Sequence, residues 1–163
     1  MYSVGIITSS DKGYLGERED KAGPLIQEIV ENQEFTVKKL VILPDEKELL
    51  KKELIYMSDN LGVNIIFSTG GTGFSERDVT PEATKEIIDR EVPGIAEAIR
   101  MYSLGITKRA MLSRGVSGIR KKTLIVNLPG SPKACKEILD YILEDLKHGL
   151  DILMGGISEC ARK

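Results

Sequence analysis

Short apolar runs alternate along this chain with stretches in which apolar side chains recur every three or four positions. Val4–Thr8 is a compact apolar run ending in Ser9-Ser10-Asp11, the pattern of a buried strand giving way to a polar loop. Leu25, Ile26, Ile29 and Val30 then fall at helical spacing behind Pro24, which suits a helix start. Phe35–Leu43 predicts a second strand, stopped by Pro44. Asp45 stands where a carboxylate caps a helix carrying Leu49, Leu50, Leu54 and Met57 on its apolar side. Val63–Thr69 predicts a third strand, closed abruptly by Gly70-Gly71-Thr72-Gly73. Thr80 and Pro81 read as the N-cap and first position of a short helix through Ile87 and Ile88. A further helix starts near Pro93, with Ile95, Ala98, Ile99 and Tyr102 inward. Lys108–Gly118 is rich in small residues and fits a strand or hairpin. Thr123–Leu128 predicts a last buried strand, and Pro129-Gly130-Ser131-Pro132 turns the chain into a long helix. Its stripe is Cys135, Ile138, Leu139, Ile142, Leu146 and Leu150.

Strands with near-continuous apolar cores, separated by amphipathic helices, predict an α/β three-layer sandwich around a mainly parallel sheet. With 163 residues, the chain is read as one domain, 1–163. In such sheets ligands sit beyond the carboxyl ends of the strands. Every conspicuous polar or glycine-rich motif follows a predicted strand: Ser10-Asp11, Pro44-Asp45, Gly70–Asp78 and Pro129-Gly130-Ser131. A parallel sheet would bring all of them to one edge.

Composition narrows the function. A net charge of −2, from 23 basic and 25 acidic side chains, argues against a general nucleic-acid binder and a polybasic membrane anchor. Trp is absent and aromatics are 5%, which disfavours a base-stacking platform. No apolar run approaches the roughly 20 residues of a membrane span, and no signal sequence is evident, so the expected address is cytoplasmic. Cys135 and Cys160 form no CxxC and predict neither a zinc knuckle nor a redox motif.

The chemistry concentrates at the glycine loop. Thr69-Gly70-Gly71-Thr72-Gly73 offers backbone N–H groups unshielded by Cβ atoms, with two hydroxyls beside them, and so suits a wrapped anion. Phe74-Ser75 replaces the Lys-Ser/Thr of a P-loop, and Glu76 stands where GxGxxG needs glycine. A tight structural turn would explain the same residues. Asp78 fits an ion-pair partner for Arg77, a capping acid at the following helix, or a ligand of a Mg²⁺ held against phosphate oxygens, and Asp45 fits helix capping or the same ion. Asp11 and Asp20 are weaker candidates, since loop aspartates commonly form turns. Arg114 and Arg120 suit phosphate or an ion pair, and Ser131 suits a helix cap or an anion. Lys133 adds little specificity, and the lone His148, late on a helix, reads as a surface residue. No serine has a histidine near it in the pattern, so a Ser-His-Asp hydrolase has no support.

The segment Gly70-Gly71-Thr72-Gly73-Phe74-Ser75-Glu76-Arg77-Asp78-Val79-Thr80-Pro81-Glu82-Ala83 resembles the molybdopterin adenylyltransferases of the MoaB/Mog fold family. Gly16, Asp20-Lys21, Pro24, Leu43-Pro44-Asp45-Glu46, Met111-Leu112-Ser113-Arg114, Gly118-Ile119-Arg120 and Asn127-Leu128-Pro129-Gly130-Ser131-Pro132 extend the resemblance over nearly the whole chain. It implies a homotrimer that takes ATP and molybdopterin, forms adenylylated molybdopterin and releases pyrophosphate. It also implies Asp45 and Asp78 as the acids most important to turnover, acting with Mg²⁺. Gly70, Gly71, Thr72 and Gly73 carry over as nucleotide or phosphate contacts. Ser10, Asp11, Ser113, Arg114, Pro129, Gly130 and Ser131 follow as further ligand-binding candidates. A phosphate nucleophile is already ionised near neutral pH, which accords with the lack of a histidine base. A non-catalytic molybdopterin carrier or assembly protein would use the same cleft. Molybdenum insertion is a third reading, and the resemblance also implies a molybdenum-insertion protein as a partner.

Overall fold

The computed structural model of the chain describes residues 1–156. Cys160 lies outside the described residues. The described strands are β1 (Ser3–Ser9), β2 (Thr36–Leu43), β3 (Ile65–Thr69), β4 (Arg90–Glu91), β5 (Ser117–Arg120) and β6 (Thr123–Leu128). They form one sheet in the order β2-β1-β3-β6-β5-β4. β2, β1, β3 and β6 run parallel, whereas β5 is antiparallel to β6, and β4 to β5. The four parallel strands are the four apolar runs read from the sequence.

Residue periodicity of two explains the layers. Ile6, Ile65, Phe67, Leu124 and Val126 share one core with helices α2 (Ala22–Glu31), α5 (Pro93–Leu104) and α6 (Pro132–Leu153). Their neighbours Ile7, Ile66 and Ile125 belong to a second core with α3 (Lys47–Ile55) and α4 (Thr80–Lys85). Central strands buried on both faces therefore read as unbroken apolar runs rather than as alternation. A wide π-helical turn, Tyr56–Asn60, continues α3 and lays Met57 against β1. A Cβ at Gly5 would stand 2.5 Å from Met57 Sδ, so glycine is required for that contact.

Several local expectations are corrected. Lys108–Gly118 is not a hairpin: Lys108–Leu112 forms a 3₁₀ turn, and only Ser117 onward joins the sheet. The intervening backbone is drawn to other partners, with Arg114 N–H donating to Thr72 O (2.9 Å) and Val116 N–H to Asn127 Oδ1 (3.1 Å). Asp45 is not the cap of α3; Glu46 occupies that position in extended conformation, without a side-chain capping bond. Thr80 lies inside α4 behind Val79, because its hydroxyl donates to Gly70 O (2.9 Å) instead of capping. Ser9-Ser10-Asp11 leads into a short helix, α1 (Asp11–Tyr14), capped by Ser10 Oγ, where only a loop was expected. No helix among the described residues is long and apolar enough to cross a membrane.

Candidate functional site

The chain passes from β1 to β2 on one side and then to β3 on the other, so the sheet reverses its winding between β1 and β3. Loops leaving such a switch point diverge and open a crevice. A cleft of about 860 Å³ occupies that place. Its walls include Thr8–Ser10 at the end of β1, Asp45 after β2, Thr69–Gly73 at the end of β3 with Asp78 beyond, and Gly130 and Pro132 after β6.

On the β1 side, Ser9 Oγ donates to Asp45 Oδ1 (2.6 Å) and Asp11 N–H donates to Asp45 Oδ2 (3.0 Å). Asp11 reciprocates, since its Oδ1 accepts from Asp45 N–H (2.9 Å). The Asp45 carboxylate is therefore held at the cleft by donors from the adjacent strand end, which is why it does not cap α3. Asp11 gives both carboxylate oxygens to Arg77 as well (2.9 and 3.0 Å) and is not among the residues lining the cleft. The Arg77 guanidinium beside it, and the Asp45 amide, hold its carboxyl below the usual carboxylate range.

The glycine loop is fixed from outside. Gly70 and Gly71 have φ of +88° and +66°, in the left-handed region that favours glycine. A Cβ at Gly70 would stand 2.4 Å from Ser9 O, and one at Gly71 2.3 Å from Thr80 Oγ1. Arg114 closes the far side: Nε donates to Gly73 O (2.7 Å), Nη2 to Asp78 O (2.6 Å), and Nη1 pairs with Glu82. Burial opposes ionisation of Glu82, but the Arg114 pair, its own backbone amide and the Lys85 charge together hold the carboxyl below its ordinary range. Asp78 Oδ2 accepts from Ser75 N–H (3.0 Å), which folds its carboxylate back beside Gly73. The N–H groups of Gly71, Thr72 and Gly73 have no acceptor among the described residues.

Of the sequence candidates, the cleft gathers Ser10, Asp45, Gly70, Gly71, Thr72, Gly73, Asp78 and Gly130. Asp11, Ser113, Arg114, Pro129 and Ser131 lie outside its lining. Ser131 Oγ caps α6 by accepting from Ala134 N–H (3.4 Å), and Ser113 Oγ accepts from Gly115 N–H (3.3 Å). Pro129 O accepts from Thr69 Oγ1 (2.7 Å) and Cys135 Sγ (3.0 Å). Burial pushes the Cys135 thiol up to about 11, so it stays protonated beneath the cleft. Arg120 pairs with Asp59 (2.7 and 3.0 Å), and exposed Lys133 faces Glu137 (3.9 Å).

Residues not singled out as site candidates also line the cleft: Thr8, Ser9, Arg18, Glu19 and Lys21. Asp20, the weaker candidate, joins them; it accepts from Thr8 Oγ1 (2.9 Å) and from Gly23 N–H (3.0 Å) at the start of α2. Lys21 at α2 and Pro132 at α6 bring two helix N-termini to the rim, each favouring negative charge. Cations, amides and helix ends thus converge with Asp45 and Asp78.

Mg²⁺ takes one or two carboxylates with phosphate oxygens and retained waters, rather than an all-protein cage. Among the described residues no group of three or more His, Cys, Asp or Glu could hold a metal. Two carboxylates, Asp45 and Asp78, do line one cleft beside unengaged amides, and they fit a cation shared with a phosphate ligand.

A crevice lined by a glycine loop at the carboxyl edge of a parallel sheet is where α/β proteins bind their ligands. Residues 5–148 match the family described as "Probable molybdopterin binding domain", and the chain belongs to that family. It is 38% identical over 164 residues to a molybdopterin adenylyltransferase of Helicobacter pylori, covering 98% of this chain and 92% of the relative. It is 40% identical over 141 residues to the molybdopterin adenylyltransferase of Escherichia coli, covering 85% and 72% of the two chains. The crystal structure of the molybdopterin biosynthesis enzyme MoaB from Thermus thermophilus superposes with a TM-score of 0.90 at 48% identity, covering 95% of this chain and 98% of that one.

Proposed function

We propose that the protein is a molybdopterin adenylyltransferase: it transfers AMP from ATP to the terminal phosphate of molybdopterin and releases pyrophosphate. The observation that carries this reading is the meeting of Asp45, Asp78 and the Gly70–Gly73 backbone on one cleft. A phosphate oxygen of molybdopterin attacks the α-phosphorus of ATP, forming a P–O–P bond. The bond from that phosphorus to the β-phosphate oxygen breaks, and the electron pair leaves with pyrophosphate. The nucleophile needs no general base, because a phosphate monoester is largely ionised near neutral pH.

The barrier lies in bringing two anions together in line. The amides of Gly71, Thr72 and Gly73, with Arg18, Lys21 and the two helix ends, oppose that repulsion. Asp45 and Asp78 would hold Mg²⁺, which when bound neutralises phosphate charge and aligns the reacting oxygens. Ser9 and the Asp11 amide keep the Asp45 carboxylate oriented, and Ser75 does the same for Asp78.

The protein is proposed to act as a homotrimer in the cytoplasm. Exposed Met101, Leu104, Ile106, Met111 and Leu112 on α5 and the following turn supply apolar surface for subunit contact, and mass measurement in solution tests it. The decisive assay combines the protein with ATP, Mg²⁺ and molybdopterin and looks for adenylylated molybdopterin and pyrophosphate. Asp78→Asn is expected to lower turnover by about 10²–10³ while ATP still binds. A non-catalytic carrier would bind molybdopterin and form neither product.

A further inference from the structure

Asp45 follows β2 and Asp78 follows β3, and these strands are not neighbours, because β1 lies between them. The two acids therefore sit on loops set one strand apart, which lead into α3 and α4 on the same face of the sheet. A reaction that needs both at set positions needs a lateral tie between those loops.

Arg77, next to Asp78 in the chain, supplies one. Its Nε donates to Asp11 Oδ2 (3.0 Å) and its Nη2 to Asp11 Oδ1 (2.9 Å), a two-pronged grip. Nη1 and Nη2 both donate to Glu46 Oε1 (3.1 Å each), the neighbour of Asp45. Asp11 passes the connection on, since its Oδ1 accepts from Asp45 N–H (2.9 Å) and its own N–H holds Asp45 Oδ2 (3.0 Å). One planar guanidinium thus joins the loops after β1, β2 and β3.

We propose that Arg77 is a positioning residue of the reaction: through Asp11 and Glu46 it ties the loop carrying Asp78 to the loop carrying Asp45, and so sets their spacing across the cleft. This rests on the adenylyl-transfer reading given above. Arg77 is itself 52% exposed and is not among the cleft-lining residues, so it acts through Asp11 rather than on substrate. Exposed ion pairs add little to folding stability. Spacing of catalytic groups, by contrast, bears directly on rate. Only a fork of fixed geometry grips Asp11 at both oxygens while reaching Glu46; an ammonium is a point charge and cannot.

The test compares wild type, Arg77→Ala and Arg77→Lys in the assay with ATP, Mg²⁺ and molybdopterin and by amide hydrogen exchange. Arg77→Ala is expected to lower kcat by about 10²-fold with KM for ATP nearly unchanged. Arg77→Lys keeps the charge, loses the fork, and is expected to remain impaired. In both variants Asp45 N–H exchange is expected to rise about tenfold or more, while Phe67 N–H in β3 keeps its wild-type rate. A kcat within about twofold of wild type in either variant, or unchanged Asp45 exchange, overturns the proposal. Wild-type protein without transfer activity overturns the reaction instead, and Asp45 exchange then decides by itself whether Arg77 positions that residue. Should Arg77→Ala not fold, Arg77→Lys carries both measurements.

Discussion

Gly71 shows how much one backbone position settles here. Its φ of +66° and the 2.3 Å approach of Thr80 Oγ1 to any added Cβ exclude a side chain, and a β-branched one most of all. Gly71→Val is expected to weaken nucleotide binding and to cost about 1–3 kcal/mol of stability, read by calorimetric titration and denaturant unfolding. Unchanged affinity in a folded variant would remove the loop from the ligand site. Residues of this kind were legible in the sequence, because clustered glycines and an aspartate after an apolar run carry a local signal. The role of Arg77 and the bonds of Arg114 to the glycine loop were not, as they depend on partners 66 and 41 positions away. Arg18 and Lys21 were obscured by a charged, non-periodic stretch that reads as ordinary solvated loop. The Asp20-Lys21 and Gly16 matches pointed to that region without giving it a role.

Elements behave as frames for these residues. Arg114 was read as a phosphate contact or an ion-pair partner; its donors go to Gly73 O, Asp78 O and Glu82, so it pairs with an acid and frames the loop. Arg114→Ala is expected to lower kcat by about 10²-fold, with a stability loss of about 1–3 kcal/mol from the orphaned carbonyls and Glu82. Wild-type turnover in a folded Arg114→Ala protein would contradict that role. At the far end of β5, Arg120 first and Lys121 second lower the Asp59 carboxyl from 3.8 to about 2. A depressed acid contributes stability above its unfolded pKa, and that contribution is lost as pH falls from about 4 toward 2. Asp59→Asn is expected to be less stable than wild type at neutral pH, by about 1 kcal/mol, with the gap closing over that acid range in denaturant unfolding. A gap that is independent of pH would contradict it. The long buried strands and amphipathic α6 were plain in the hydrophobic pattern, but β4 and β5 were not. β4 has two residues, and β5 begins with Ser117-Gly118, so neither offers an apolar run.

At the scale of the whole molecule, the parallel order of β2, β1, β3 and β6 explains why motifs scattered over the sequence meet. Each lies at the carboxyl end of its strand, and the sheet carries them to a common rim. That much followed from the alternation of strands and helices. Strand order did not, because pairing is decided by contacts between distant segments. The central claim is that one anionic ligand touches the glycine loop and both acids together. A crystal structure with a non-hydrolysable ATP analogue and Mg²⁺ tests it most directly. The account predicts phosphate oxygens on the Gly71–Gly73 amides, with Asp45 and Asp78 around the same polyphosphate. Nucleotide bound away from this cleft, or reaching only one of the two acids, would contradict it.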